Sequence, residues 1–115
     1  MNTDAIAKAL EVMHAHAAGL NARDPEAIAA TLHFPHFRLS GKTVKIWKTS
    51  DSYFADFKAR AGDNWGSTQW SRLEPMQASE TKVHLNVRVD RFDKEGKPLV
   101  QFDSLWVVTN INGVW

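Results

Sequence analysis

The sequence predicts an α+β domain in which three helices pack on one long antiparallel sheet. Three observations carry this. Apolar residues in the first third recur at helical spacings. The stretch Lys82–Phe92 alternates strictly between apolar and polar residues. Asp93-Lys94-Glu95-Gly96 and Asn112-Gly113 are turn signals that fold the second half into a meander. Helices first and strands after give a layered α+β arrangement. A chain of 115 residues is one domain, 1–115, with room for a single core.

Each element has a local reason. Ile6, Leu10, Met13 and Leu20, with Ala17 between, form one stripe on a helix from Asp4 to about Leu20. Asn2 or Thr3 suits its cap, and Asp4 suits the positive end of its dipole. Asp24-Pro25-Glu26 is a capping acid followed by a first-turn proline, so a second helix runs through Ile28 to about Leu32. Phe34-Pro35 stops it, because the residue before a proline is pushed out of the helical region. His36–Leu39 and Thr43–Trp47 flank Ser40-Gly41-Lys42 as a short hairpin. Ser50-Asp51 opens a third helix carrying an aromatic stripe, Tyr53, Phe54, Phe57 and Ala61, closed by Gly62. Ser67–Met76 is a strand loosened by Pro75, Lys82–Phe92 is the next, and Leu99–Thr109 is a third. The last is apolar on both faces, which predicts an interior position covered on both sides. A second subunit is the simplest cover in so small a chain, so a homodimer through the sheet is expected.

Composition excludes several classes. A net charge of +1 with scattered Lys42, Lys45, Lys48, Lys58 and Arg60 describes a solvated surface and gives no nucleic-acid footprint. Without cysteine there is no disulfide framework and no thiolate site. Neither a signal peptide nor a bilayer-length apolar run is present, so no membrane partner is expected and a cytoplasmic location is the default. Five tryptophans (Trp47, Trp65, Trp70, Trp106, Trp115) suit a core, an interface or an apolar pocket.

The order helix, helix, hairpin, helix, meander resembles the nuclear-transport-factor-2-like superfamily, and within it a SnoaL-like, ketosteroid-isomerase-like branch of unknown function. The resemblance rests on Leu20-Asn21-Ala22-Arg23-Asp24-Pro25-Glu26-Ala27-Ile28, on His33-Phe34-Pro35-His36-Phe37-Arg38, on Lys82–Val87, on Asp103-Ser104-Leu105 and on the closing Asn-Gly-Val-Trp. It implies a cystatin-like cone, three helices on a curved, mixed but mainly antiparallel sheet, with a pocket. A further strand follows the final Gly-Val-Trp in that family, which implies that the last strand is truncated after Trp115. The isomerase chemistry needs a carboxylate base, a protonated acid and a phenol. Carried over position by position, the resemblance sets His16 at the phenol, Ser40 at the base and Leu105 near the acid. Two of the three groups are unable to do that work, so isomerase activity is not expected.

The remaining candidates are few. His14 and His16, two apart on a helix, diverge, and His33 and His36 have no nearby acid, so no metal site is expected. A histidine is more often a hydrogen-bonded or surface side chain than a catalyst, but the resemblance turns His16 toward the pocket, where it would act as a base or orient a ligand. His84, Asn86 and Arg88 share a strand face, and pairing through the Asp93–Gly96 turn sets Asp103 on the same side. The resemblance favours that face turned inward, with an Arg88–Asp103 pair beside His84 and with Val83, Leu85, Val87, Phe102 and Trp106 toward a dimer partner; turned outward, the same polar residues would be a solvated or dimer-interface ladder. The expected function is a pocket for a small, largely apolar molecule, lined by Trp47, Phe54, Trp70, His84, Arg88 and Leu105, with no cofactor. The alternatives are a cyclase, isomerase or hydratase using His16 or Asp103 in proton transfer, and a dimerising domain with a vestigial pocket.

Overall fold

The computed structural model describes residues 2–115. Its elements are α1 (Thr3–Ala22), α2 (Pro25–Ala29), β1 (His36–Ser40), β2 (Thr43–Trp47), α3 (Ser50–Ala61), β3 (Trp65–Ala78), β4 (Lys82–Asp93) and β5 (Pro98–Thr109). The strands form two antiparallel sheets, a β1-β2 hairpin and a three-stranded β3-β4-β5 meander. The five named strands pair only antiparallel, so the mixed component of the expected sheet is not among them. β4 is the central strand, and β5 is an edge of its sheet instead of the interior strand that its apolar content suggested.

Local chemistry sets the ends. The Asp24 carboxylate accepts from the backbone N–H groups of Glu26 (3.1 Å) and Ala27 (3.2 Å), and the proline of α2 follows in its first turn. α3 is capped by Thr49, whose hydroxyl accepts from Ser52 N–H. Asn2 occupies the cap position of α1 without a capping bond, because its side chain donates to Ala78 O instead. Asn112 and Gly113 both take positive φ, 53° and 86°, and Ile111 bridges Val114 across the turn.

α1 lies across the inner face of β4. Its buried stripe is Ala5, Ala9, Met13, His16 and Leu20, with Ile6 and Leu10 at the margin. The stripe is thus rotated from the large-residue pattern, because alanine lets the helix sit close on Val83, Leu85, Val87 and Val89. A second cluster, Leu20, Ile28, Trp47, Tyr53, Phe54, Phe57 and Trp65, is built where α2, α3 and the hairpin meet. Asn21 ties α1 to β3 by a reciprocal pair with the Thr68 backbone, donating to its carbonyl at 2.9 Å and accepting from its N–H at 2.8 Å. Gly66 sits at a bulge where a Cβ would run into the Asp93 carbonyl, so only glycine fits.

Candidate functional site

Between the hairpin and the meander lies an open groove of about 880 Å³. Side chains of both clusters contribute to its wall, and Tyr53, Trp70 and Trp106 give it an aromatic lining. That volume is within the range of small-molecule sites.

His16 sits at its base, 1 % exposed, between two partners. Nδ1 is 2.9 Å from Thr31 Oγ1 and Nε2 is 3.2 Å from the Tyr53 hydroxyl. The Thr31 hydroxyl donates its proton to Ile28 O at 2.7 Å, so toward His16 it accepts. This assigns the proton to Nδ1 and leaves Nε2 to accept from Tyr53. The ring also stacks on Trp70 at 6.3 Å and tilts against Trp106 at 5.3 Å. Burial, with a smaller contribution from His36, pulls the His16 pKa down to about 3. The ring is therefore neutral at physiological pH and holds the Tyr53 phenol in place. A base that weak, with both nitrogens engaged, is a positioning group in this geometry.

Three guanidiniums gather at the phenol end of Tyr53. Arg38 of β1, Arg60 of α3 and Arg91 of β4 all line the groove. Arg60 lies 5.6 Å and Arg91 5.3 Å from the Phe57 ring centre, and Arg91 also lies 5.0 Å from that of Phe102. Burial pushes the Tyr53 pKa up, while the nearby Arg60 and Arg38 charges pull the other way. Burial first, then the Arg60 and Arg38 charges, lowers the pKa of His36, which stands 5.3 Å from Tyr53, ring to ring.

The sequence-derived candidates divide into three groups. His16 and Trp70 line the groove. Trp47 and Phe54 are 5 % and 8 % exposed in the second cluster and do not line the groove, because closed core volume took these aromatic rings. The face of β4 is reversed from the expectation. Val83, Leu85, Val87 and Val89 point inward to α1, with Phe102 and Trp106 packed against that core, so His84, Asn86 and Arg88 point outward. Arg88 does meet Asp103 at 3.2 Å, but the pair is solvent-facing and shares Asp103 with Arg72. Asp103 and Leu105 also border the groove, but both are exposed, Leu105 to 62 %, whereas His16 is buried. Among the described residues no group of three histidine or acidic side chains could hold a metal ion. Likewise, no helix is long and apolar enough to cross a membrane.

Sequence reading missed Thr31, Tyr53 and the three arginines as site residues. A signal existed for the arginines. Arg91 continues the inward parity of Val83, Leu85, Val87 and Val89, and Arg60 continues the Tyr53, Phe57 face of α3 at helical spacing. A cation on an otherwise apolar face needs a partner.

No family model matches the chain, and no curated protein matches it. Solved structures do. A Nostoc punctiforme protein of unknown function with a cystatin-like fold aligns with TM-score 0.73 and 16% identity, over 94% of this chain and 81% of that one. A candidate polyketide cyclase of Xanthomonas campestris pv. campestris aligns at 0.60 and 18%, over 92% and 83%. An LEH-like epoxide hydrolase of Mycobacterium tuberculosis aligns at 0.59 and 16%, over 93% and 76%. These likenesses establish the fold, which is cystatin-like.

Proposed function

We propose that the protein binds a small, largely apolar molecule in the groove between hairpin and meander. The observation that carries this reading is the open, aromatic-lined volume of about 880 Å³ with one ordered polar device, Thr31–His16–Tyr53, at its base. Few convergent polar groups in an apolar cleft are what ligand sites use to fix orientation. A vestigial, self-filled pocket would leave no such volume. Two similar structures are named for a cyclase and a hydrolase, but a shared fold transfers no reaction. Proton transfer by His16 or Asp103 has less support, since His16 is neutral with both nitrogens bonded and Asp103 pairs with Arg72 and Arg88. The reading includes a homodimer through the outward sheet face, where Leu105 and Val107 carry apolar side chains into solvent.

Titration with the neutral fluorophore N-phenyl-1-naphthylamine tests the binding reading. Saturable binding at one site per chain is expected, abolished by Ser104→Trp, which fills the groove from β5 while CD confirms the fold. Binding that is absent, or unchanged in the filled variant, would refute it.

A further inference from the structure

We propose that the groove selects a ligand carrying a carboxylate on its apolar body, with the carboxylate seated among Arg38, Arg60 and Arg91. This rests on the reading that the groove binds a small molecule, and it specifies which chemical class.

The inference starts from a charge imbalance. Arg60 donates to Asp56 at 2.9 Å, and Lys45 approaches the same carboxylate at 3.4 Å. Arg38 and Arg91 have no ion-pair partner among the described residues. The other carboxylate at the groove, Asp103, is already held by Arg72 and Arg88. Asp90, next to Arg91 in the chain, belongs to the alternate face of β4. Arg91 Nε is buried with no hydrogen-bond partner at all. A guanidinium stays protonated, so its burial beside like charges is a standing cost unless an anion relieves it. Burial, then the neighbouring Arg60 charge, works against the charged form at both Arg38 and Arg91.

The geometry favours a carboxylate over a diffuse counter-ion. The three arginines come from three elements, a strand of the hairpin, a helix and the central strand of the meander, and all turn into one cleft. Phe57 sets the spacing of two of them, with Arg60 and Arg91 within 5.6 Å and 5.3 Å of its ring centre. Planar guanidiniums match a carboxylate with parallel N–H···O bonds. The Tyr53 hydroxyl gives its proton to His16, so toward the cleft it offers lone pairs and no donor. Anion recognition therefore falls to the arginines. Trp70 and Trp106, in the same lining and packed edge to face, supply the surface for the apolar body.

The test pairs naphthalene-1-acetate with naphthalene-1-acetamide, which share shape and differ in charge, using the full chain and calorimetry. The carboxylate is expected to bind at least about tenfold tighter, with the preference weakened by added NaCl. Arg38→Met and Arg91→Met should each reduce that preference severalfold, lowering carboxylate affinity by more than amide affinity. Arg72→Gln, on the outer face, should leave the preference intact. The salt dependence on the unaltered protein keeps the test decisive if an arginine variant fails to fold. Equal affinity for both probes overturns the carboxylate proposal and leaves the binding reading standing. Binding of neither these probes nor N-phenyl-1-naphthylamine overturns both.

Discussion

Replacing His16 by leucine should make stability less dependent on pH. In the folded protein the His16 pKa is about 3, against an ordinary 6.5, because burial disfavours the imidazolium. The unfolded chain therefore binds a proton that the folded chain refuses, and this acts wherever pH lies between those two values. Stability is unaffected above 6.5 and falls as pH drops toward 3, at about 1.4 kcal/mol per unit. At about pH 5 the wild type has lost about 2 kcal/mol through this residue alone. The leucine variant has no such loss. At about pH 7.5 it starts lower by about 2 kcal/mol, since the buried Tyr53 hydroxyl loses its acceptor and the Thr31 contact is removed. The stability gap between the two proteins should thus close almost completely between these pH values. His36, whose pKa is also lowered, titrates in both proteins and largely cancels. Urea denaturation read by tryptophan fluorescence resolves this, because with m near 2 kcal/mol/M the gap is about 1 M in midpoint. A gap that is the same at both pH values would refute the assignment of a neutral, buried His16.

Other outcomes follow from single contacts. Gly66→Ala should cost at least about 2 kcal/mol in thermal unfolding, because the new Cβ meets backbone atoms of Asp93 and Lys94 that cannot rotate away. Asn21→Ala should cost about 2 kcal/mol by orphaning the Thr68 N–H and carbonyl that it pairs, and Asn21→Asp should recover little because only one of the two bonds survives. Leu105→Lys with Val107→Lys should convert a sedimenting dimer to monomer with the fold retained by CD; an unchanged mass would remove this face as the interface.

Much of the fold was legible because its signals are local. The Asp24 cap, the Asn112-Gly113 turn and the alternation of Lys82–Phe92 each depend on a few adjacent residues. Which face of β4 lies inside is a different kind of fact. Alternation marks two faces, but burial is decided by what covers the sheet, and α1 with its alanine-lined stripe covers the apolar one. Trp47 and Phe54 were assigned to the pocket for the same reason that they fit the core: a large ring fills whichever closed volume is nearest. The role of Tyr53 was hidden within an aromatic stripe, since nothing in the sequence joins it to His16 and Thr31. The arginines, by contrast, were partly legible as cations on apolar parities, and only the fold brings them to one cleft.

The most direct measurement is an NMR titration of the five tryptophan indole N–H signals with N-phenyl-1-naphthylamine. Ligand binding in the groove predicts shifts at Trp70 and Trp106, which line it, and none at Trp65, which is buried in the second cluster with its N–H bonded to Thr68. Trp70 and Trp106 signals that stay fixed, or shifts of equal size at Trp65, would contradict the account.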